Sequence, residues 1–262
     1  MSGFYIGVDG KARKIKGAYI GIDGVARKIK KGYVGDANGV ARLCWTTIDP
    51  VFANNSWEDV IVACQNNTVP DTWDVGDQMT MNIDGVDYAV DIIGKNHDDY
   101  ADGSGKAPLT FQLHDCYKTV HQMNASNTNH GSWSGTVMCT TFLPTIFSLL
   151  PAVVQNGIKE ITKKTSKGST GSTLVNSYDK LFFLSEKEIT GKNTLSFAGE
   201  GTQYKYYADG GSKVKTKGSN PVSWWTRSPT DGSGSFVAIA TSGGVLSSGA
   251  SATNAVSFAF CF

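Results

Sequence analysis

The sequence predicts an α+β domain, residues 46–262, preceded by a small all-β module of three hairpin repeats, residues 1–45. Three observations carry this reading. The first 45 residues repeat one pattern three times and no such period follows. Two patches of helical spacing then lie among many short alternating segments, with a long irregular stretch before the Trp224-Trp225 pair. The chain closes on the alternating run Val256-Ser-Phe258-Ala-Phe260-Cys-Phe262, which reads as a central or closing strand.

The repeats run Tyr5-Ile-Gly-Val-Asp9-Gly10, Tyr19-Ile-Gly-Ile-Asp23-Gly24 and Tyr33-Val-Gly-Asp36-Ala-Asn38-Gly39, each followed by a second alternating segment around Arg13, Arg27 and Arg42. An Asp-Gly or Asn-Gly pair between two such segments marks a tight hairpin turn. A 14-residue unit is too small to bury a core, so the copies must stack on one another or on a partner chain. The module holds nine Lys/Arg against three Asp, a balance of +6, while the remainder holds 15 against 20, a balance of −5. A basic segment beside an acidic body raises a nucleic-acid reading. The alternate placement of Lys14, Lys16, Lys28, Lys30 and Lys31 around Ile15 and Ile29 fits a solvated hairpin face instead, since lysine protects exposed sheet edges. The expectation is no nucleic acid.

Beyond Trp45, Ser56 followed by Trp57-Glu58-Asp59 and apolar residues to Cys64 predicts a capped helix. Val75 to Ile93 predicts two strands about an Asp84-Gly85 turn, and Leu109 to Leu113 a further strand. Phe142 to Ile161 carries two helical stretches broken at Pro144 and Pro151. Lys163 to Ser172 reads as an exposed loop, Leu181 to Leu184 as a strand, and residues 198 to 223 as surface loops.

With 40% apolar and 11% aromatic residues the chain is an ordinary globular composition. No run of 18 apolar residues and no apolar leader with a small-residue cleavage site is present, so synthesis in the cytoplasm without a signal peptide and no membrane insertion are expected. Cys44, Cys64, Cys116, Cys139 and Cys261 are scattered and lack a C-x-x-C pair. They read as small buried hydrophobes, with a single disulfide as the alternative.

Five stretches carry a family resemblance: His97-Asp98-Asp99-Tyr100-Ala101-Asp102-Gly103-Ser-Gly105-Lys106, Met123 to Asn129, Asp179 to Glu188, Glu200 to Tyr207, and Trp224-Trp225-Thr-Arg227-Ser228-Pro229. Together they resemble a bacterial and prophage domain family related to the C-type lectin-like fold of diversity-generating-retroelement variable proteins and formylglycine-generating enzymes. The N-terminal repeats are similar to ones that precede this domain in phages and prophages of gut Firmicutes. The resemblance implies a C-type lectin-like domain and a recognition protein of the virion, tail-associated, or of the bacterial cell surface.

In such a family the stretch after the Trp-Trp motif is the changeable one. Here it is Thr230 to Asn254, rich in Ser, Gly, Ala and Thr. Recognition surfaces usually draw on Tyr, Trp or Arg anchors. The expected ligand-binding set is therefore Tyr204, Tyr206 and Tyr207, with Trp133 beside them, and Ser233, Ser235, Phe236, Ala238, Ala240, Ser242, Ser247 and Ser248. Trp224, Trp225 and Arg227 read as a structural clasp, because a buried indole needs a partner for its N–H and an adjacent Arg forks onto a carboxylate.

His97, Asp98, Asp99 and Asp102 form the densest polar cluster, and its carboxylates could offer oxygen ligands to Ca²⁺, yet Asp and Gly in such runs more often shape turns. His114, His121 and His130 near Cys116 and Cys139 lack the spacing of a zinc site. No metal, cofactor or catalytic residue is assigned. An oxidase of the formylglycine-generating kind would need paired cysteines in the C-terminal third, where Cys261 stands alone. The expectation is a non-enzymatic adhesion protein. Its homo-oligomer, a trimer, docks to other virion or surface proteins through the repeats and binds a cell-surface glycan or protein. The alternatives are a decoration protein without ligand, or an enzyme on the related scaffold.

Overall fold

The Asp-Gly pairs set the local geometry first. The computed structural model describes all residues except 1–4, 9, 15–17, 30, 36–40 and 233. Strands β1 (Tyr5–Val8) and β2 (Lys11–Lys14), β3 (Ala18–Ile22) and β4 (Val25–Ile29), and β5 (Lys31–Gly35) and β6 (Ala41–Thr46) form three separate two-stranded antiparallel sheets. Asp23 and Gly24 have φ of 53° and 76°, the pair of positive values that a two-residue type I′ turn requires. Tyr5 faces Lys14 and Tyr19 faces Lys28 across their hairpins, whereas Tyr33 faces Leu43 after a register shift. The third turn, and the side chains of Lys14, Lys16, Lys28, Lys30 and Cys44, lie outside the described residues.

The chain divides into two compact units, Met1–Thr72 and Trp73–Phe262. The first takes in helix α1 (Trp57–Gln65), whose N-cap Ser56 and Asp59 form a reciprocal capping box. Lys31 ties the third hairpin to this helix, reaching Glu58 at 3.0 Å and Asp59 at 3.2 Å.

In the second unit, β7 (Gln78–Ile83) and β8 (Val86–Lys95) turn about Asp84 and Gly85, with φ of 50° and 77°. With β9 (Leu109–Leu113) and the last strand they make a four-stranded antiparallel sheet. β7 alternates exposed and buried residues, while β9 is buried along its length. A register shift between Ile92 and Gly94 bulges β8. Gly94 is needed there, because a Cβ would stand 2.9 Å from the Tyr204 ring.

After β10 (His121–Gln122), a π-helical turn at Met138–Phe142 runs into α2 (Leu143–Leu149). Pro144 sits in the first turn of α2, directly after the π-turn, so its missing N–H falls at the junction of the two helical segments. α3 (Ala152–Gly157) starts after Pro151. Then β11 (Ile161–Ser166) pairs with β12 (Leu174–Asp179), and α4 (Glu186–Thr190) and α5 (Lys205–Ala208) follow. β13 (Lys215–Lys217) pairs with β14 (Asn220–Val222), and β15 (Trp224–Pro229), β16 (Ser235–Ile239) and β17 (Val245–Gly249) form a three-stranded sheet. β18 (Thr253–Asn254) pairs with β10, and β19 (Ala259–Cys261) closes the large sheet in the order β19-β9-β8-β7. Phe111, Phe260 and Phe262 gather their rings with centroids 5.4 to 5.5 Å apart at its closed end.

This architecture corrects the α+β, C-type lectin-like expectation. The regular structure of the second unit is mostly strand, divided into small antiparallel sheets, and the four α-helices among its described residues have seven residues or fewer. Prolines and the left-handed Gly191 cap cut those helices short. Three local readings change as well: residues 198 to 223, read as surface loops, hold α5, β13 and β14 and bury Tyr204, Tyr207 and Lys215. Lys163 to Ser166 belongs to a strand and is largely buried rather than an exposed loop. Leu181 to Leu184 is buried but holds only a single bridge, Phe182 to Ala259. No helix among the described residues is long and apolar enough to cross a membrane. Substituting Gly94→Ala would force the Tyr204 ring aside, and overpacking of this kind costs about 1–3 kcal/mol. Urea denaturation should show that loss with an unchanged m-value.

Candidate functional site

Four charged side chains from distant segments meet inside the second unit. Asp98 follows β8, Lys163 is on β11, Glu188 on α4 and Arg227 on β15, and all four are buried. Lys163 Nζ donates to Asp98, to Glu188 Oε1 at 3.2 Å and to the Tyr204 hydroxyl at 2.8 Å. Arg227 forks onto Glu188 through both terminal nitrogens, one at 3.0 Å, and also donates to the Phe183, Lys164 and Glu200 carbonyls. Tyr204 donates to both Asp98 oxygens at 2.9 and 2.8 Å, and Thr110 donates at 2.5 Å. His97 stacks on the Tyr204 ring at 3.9 Å.

Local chain chemistry sets these positions. Ser185 caps α4 and Glu188 reaches back to the Ser185 N–H at 2.9 Å, so the carboxylate that closes the cap also receives the Arg227 fork. Burial alone would raise the Asp98 and Glu188 carboxyls. Lys163 beside Asp98, and Arg227 with Lys163 beside Glu188, instead hold both below the ordinary carboxylate range. Burial likewise works against the Arg227 cation, and Glu188 more than offsets it. Burial and the Asp98 charge raise the Tyr204 phenol well above its usual value, which keeps it a donor.

His97, Asp98 and Glu188 place ligand atoms within 4.8 Å of one another, a spacing that a metal ion accepts. The Lys163 ammonium already serves Asp98 and Glu188, so a cation there would have to displace it. Asp99 and Asp102 do not join the group. Asp99 pairs with Lys106 at 2.9 Å on the surface, and Asp102 accepts from the Ser104 N–H at 2.9 Å in a turn.

A second, open feature lies between the π-turn with α2 and the end of β12. A cavity of about 250 Å³ is lined by Cys139, Thr140, Leu143, Pro144, Phe147, Tyr178, Asp179, Lys180 and Leu181. Asp179, only 7% exposed, accepts on Oδ2 from Trp133 Nε1 at 3.1 Å and Ser177 Oγ at 2.6 Å, while Oδ1 meets, among the described residues, only the Cys139 thiol at 3.5 Å. A thiol is a weak donor. Burial raises the Asp179 carboxyl, and the Cys139 thiol is raised by burial and then by Asp179, so Cys139 is not an activated nucleophile. Lys180 Nζ lies 5.1 Å from the Phe147 ring centre. π-Turns of this kind recur at functional sites.

Part of the expected ligand-binding set comes together: Ser235, Phe236 and Ala238 on β16 lie beside Ser247 and Ser248 on the paired strand β17, with Ser248 opposite Phe236. Tyr204 and Tyr207 are buried, with Tyr207 donating to Gln112 at 2.6 Å, and Trp133 is buried too. Phe236 and Ala238 are buried, so these five residues are interior rather than surface anchors. Tyr206 is half-buried against Tyr207. Ser235, Ala240 and Ser248 are half-buried, Ser242 and Ser247 are exposed, and Ser233 lies outside the described residues. Trp224 and Trp225 are buried with their indole N–H groups on the Lys213 and His121 carbonyls at 3.0 and 2.7 Å. Cys64, Cys116, Cys139 and Cys261 are free thiols. His114 pairs with Asp91 at 2.8 Å, and His121 stacks on Phe142. Of the pocket residues, Asp179, Lys180 and Leu181 lie in one of the family-like stretches, while those of the π-turn and α2, and Lys163, carry no motif; for Lys163 the one trace is alternation, since Ile161, Lys163 and Thr165 share the buried face of β11.

Fold and site together define a strand-rich domain of small antiparallel sheets locked by buried ion pairs, with a small pocket floored by a carboxylate. The family model described as a domain of unknown function, DUF6273, matches residues 110–262, more than half of the chain, and the chain belongs to that family. The matched span holds the pocket, Lys163, Glu188 and Arg227, while Asp98 precedes it. No curated protein and no solved structure matches the chain.

The ion-pair geometry fixes a pH dependence. Carboxyls held low, Asp98 and Glu188, contribute stability that is complete above the unfolded values of about 3.9 and 4.3 and is lost as pH falls below about 4. Asp179 and Glu200, raised by burial, act oppositely and destabilise as pH rises through their folded values. The unfolding free energy should therefore peak on the acid side of neutrality and fall below about pH 4, as measured by urea titration. Lys163→Met should cost about 3–5 kcal/mol, the usual cost of leaving a buried partner charge uncompensated.

Proposed function

We propose that the protein is a non-enzymatic recognition protein of a phage or prophage, displayed on a virion or bacterial cell surface. In this reading the second unit meets a cell-surface glycan or protein, and the repeats assemble copies of the chain and attach them to other virion or surface proteins. The hairpin module carries the reading. Tyr19, Ile20, Val25 and Tyr33 are between 51% and 64% exposed, and Ile22 41%, on hairpins that each stand as a two-stranded sheet. An isolated hairpin is marginal in water, and β-branched and aromatic residues on its faces favour a partner. Because the same side chains recur every 14 residues, identical copies meet like against like, and a closed cyclic assembly satisfies each copy equally. A trimer is the expected state, and several weak contacts with a cell surface then add by avidity.

The interior of the second unit also supports a binding role. Its buried charges are engaged with one another, which holds the surrounding loops in fixed positions as a recognition surface needs. Light scattering of the full chain should give a trimer at micromolar concentration. A variant with Tyr19, Ile20 and Tyr33 changed to Ser should give a monomer whose second unit stays folded by near-UV circular dichroism. A wild-type monomer would remove the assembly part of this reading. A trimer that binds no cell or glycan would favour a decoration protein.

A further inference from the structure

We infer that the pocket between the π-turn and the end of β12 holds a single saccharide ring, the terminal or internal residue of a glycan, with Asp179 as its principal acceptor. This rests on the recognition reading above and names its ligand class and its site. Three features of the pocket lead to it.

The first is an acceptor held ready. Asp179 Oδ2 is occupied by the Trp133 and Ser177 donors, but Oδ1 receives, among the described residues, only the Cys139 thiol at 3.5 Å. A carboxylate oxygen with such a weak partner in a buried position favours a stronger donor arriving from the cavity, because a poorly satisfied buried acceptor is costly. The raised Asp179 carboxyl agrees with that.

The second is the polar balance. Lys180 brings an ammonium to the rim. The Thr140 hydroxyl donates to the Thr136 carbonyl at 2.9 Å and keeps its lone pairs to accept. Carboxylate, ammonium and hydroxyl together offer acceptors and a donor with no net charge. A neutral ligand that carries several hydroxyls matches this set, whereas an organic cation would meet Lys180 and an anion would meet Asp179.

The third is shape. Phe147 and Tyr178 contribute aromatic side chains, with Tyr178 60% exposed, and Leu143, Pro144 and Leu181 complete an apolar wall. A volume of about 250 Å³ lies below the roughly 300–1,000 Å³ of drug-sized sites, so it suits one ring rather than an oligomer. The C–H face of a pyranose packs on aromatic rings while its hydroxyls reach the polar groups, the amphipathic recognition that such a lining supports.

The indole N–H of Trp133, bonded to Asp179, supplies a local reporter. The full chain, ¹⁵N-labelled, is titrated with D-glucose, D-galactose, N-acetyl-D-glucosamine and L-rhamnose, and separately with tetramethylammonium chloride. The Trp133 indole resonance is assigned by its loss in Trp133→Phe. At least one sugar should shift it saturably. Tyr178→Ala, at an exposed position, should weaken that sugar several-fold, and Asp179→Asn about tenfold or more. No shift with any of the four sugars, a shift with tetramethylammonium alone, or equal affinity in Tyr178→Ala and Asp179→Asn would overturn the assignment. Binding of the same variants to a panel of whole bacterial cells separates the two levels. Cell binding unchanged in Tyr178→Ala and Asp179→Asn overturns the pocket and leaves the recognition reading standing. A saturable, mutation-sensitive sugar shift without any cell binding supports the pocket and counts against surface recognition.

Discussion

The chain of buried charges running Asp98–Lys163–Glu188–Arg227 is the constraint on which the second unit depends. Each charge alone would carry a large desolvation penalty, and the four together are neutral. They come from the segment after β8, from β11, from α4 and from β15, elements that belong to different sheets or to none. A sheet of two strands has little independent stability. A network that is satisfied only when four segments are in place couples them, so the small sheets stand or fall together. Tyr204 adds a fifth segment through its hydroxyl, and the bulge at Gly94 gives its ring the room to lie there.

A second pair of buried carboxyls behaves differently. Asp179 and Glu200 are raised, because the donors around them do not fully replace water. Glu200 is enclosed, receiving the Ser166 N–H and the Ser228 hydroxyl. Asp179 opens onto a cavity with one oxygen weakly served. The contrast separates groups that hold the fold from the one that has capacity left for something outside it. The unused capacity thus lies at the pocket and not at the centre of the network, where Lys163 already serves Asp98 and Glu188.

Much of the local structure was legible in the residues. Asp23-Gly24 and Asp84-Gly85 announced their turns, Ser56 its helix, and the alternation of β7 its half-buried face. The illegible parts share one cause: polar side chains turned inward. Lys163 sits in a Lys, Thr and Ser run that resembles a solvated loop, and only its tertiary partners make its burial affordable. Tyr204 and Tyr207, flanked by Gly, Lys and Asp, look like surface aromatics for the same reason. The motifs behind the family resemblance are informative in a way that their spacing conceals. Asp98, Asp179, Glu188, Glu200, Tyr204 and Arg227 all come from them, and five of the six converge on one another instead of on a ligand. The lectin-like architecture failed because those motifs record an interior lock, and a lock says little about the order and size of the sheets it joins. The pocket was invisible because its lining is ordinary residues brought together from α2 and β12.

The two-residue turn of the second repeat has a consequence for how such a module changes over time. A hairpin closed by Asp23 and Gly24 takes no extra residues for its connection, so a whole copy can be gained or lost as one short in-frame segment without disturbing the copies beside it. Length then becomes an adjustable dimension, set by duplication, that can vary while the carboxy-terminal domain and its interior chemistry stay as they are.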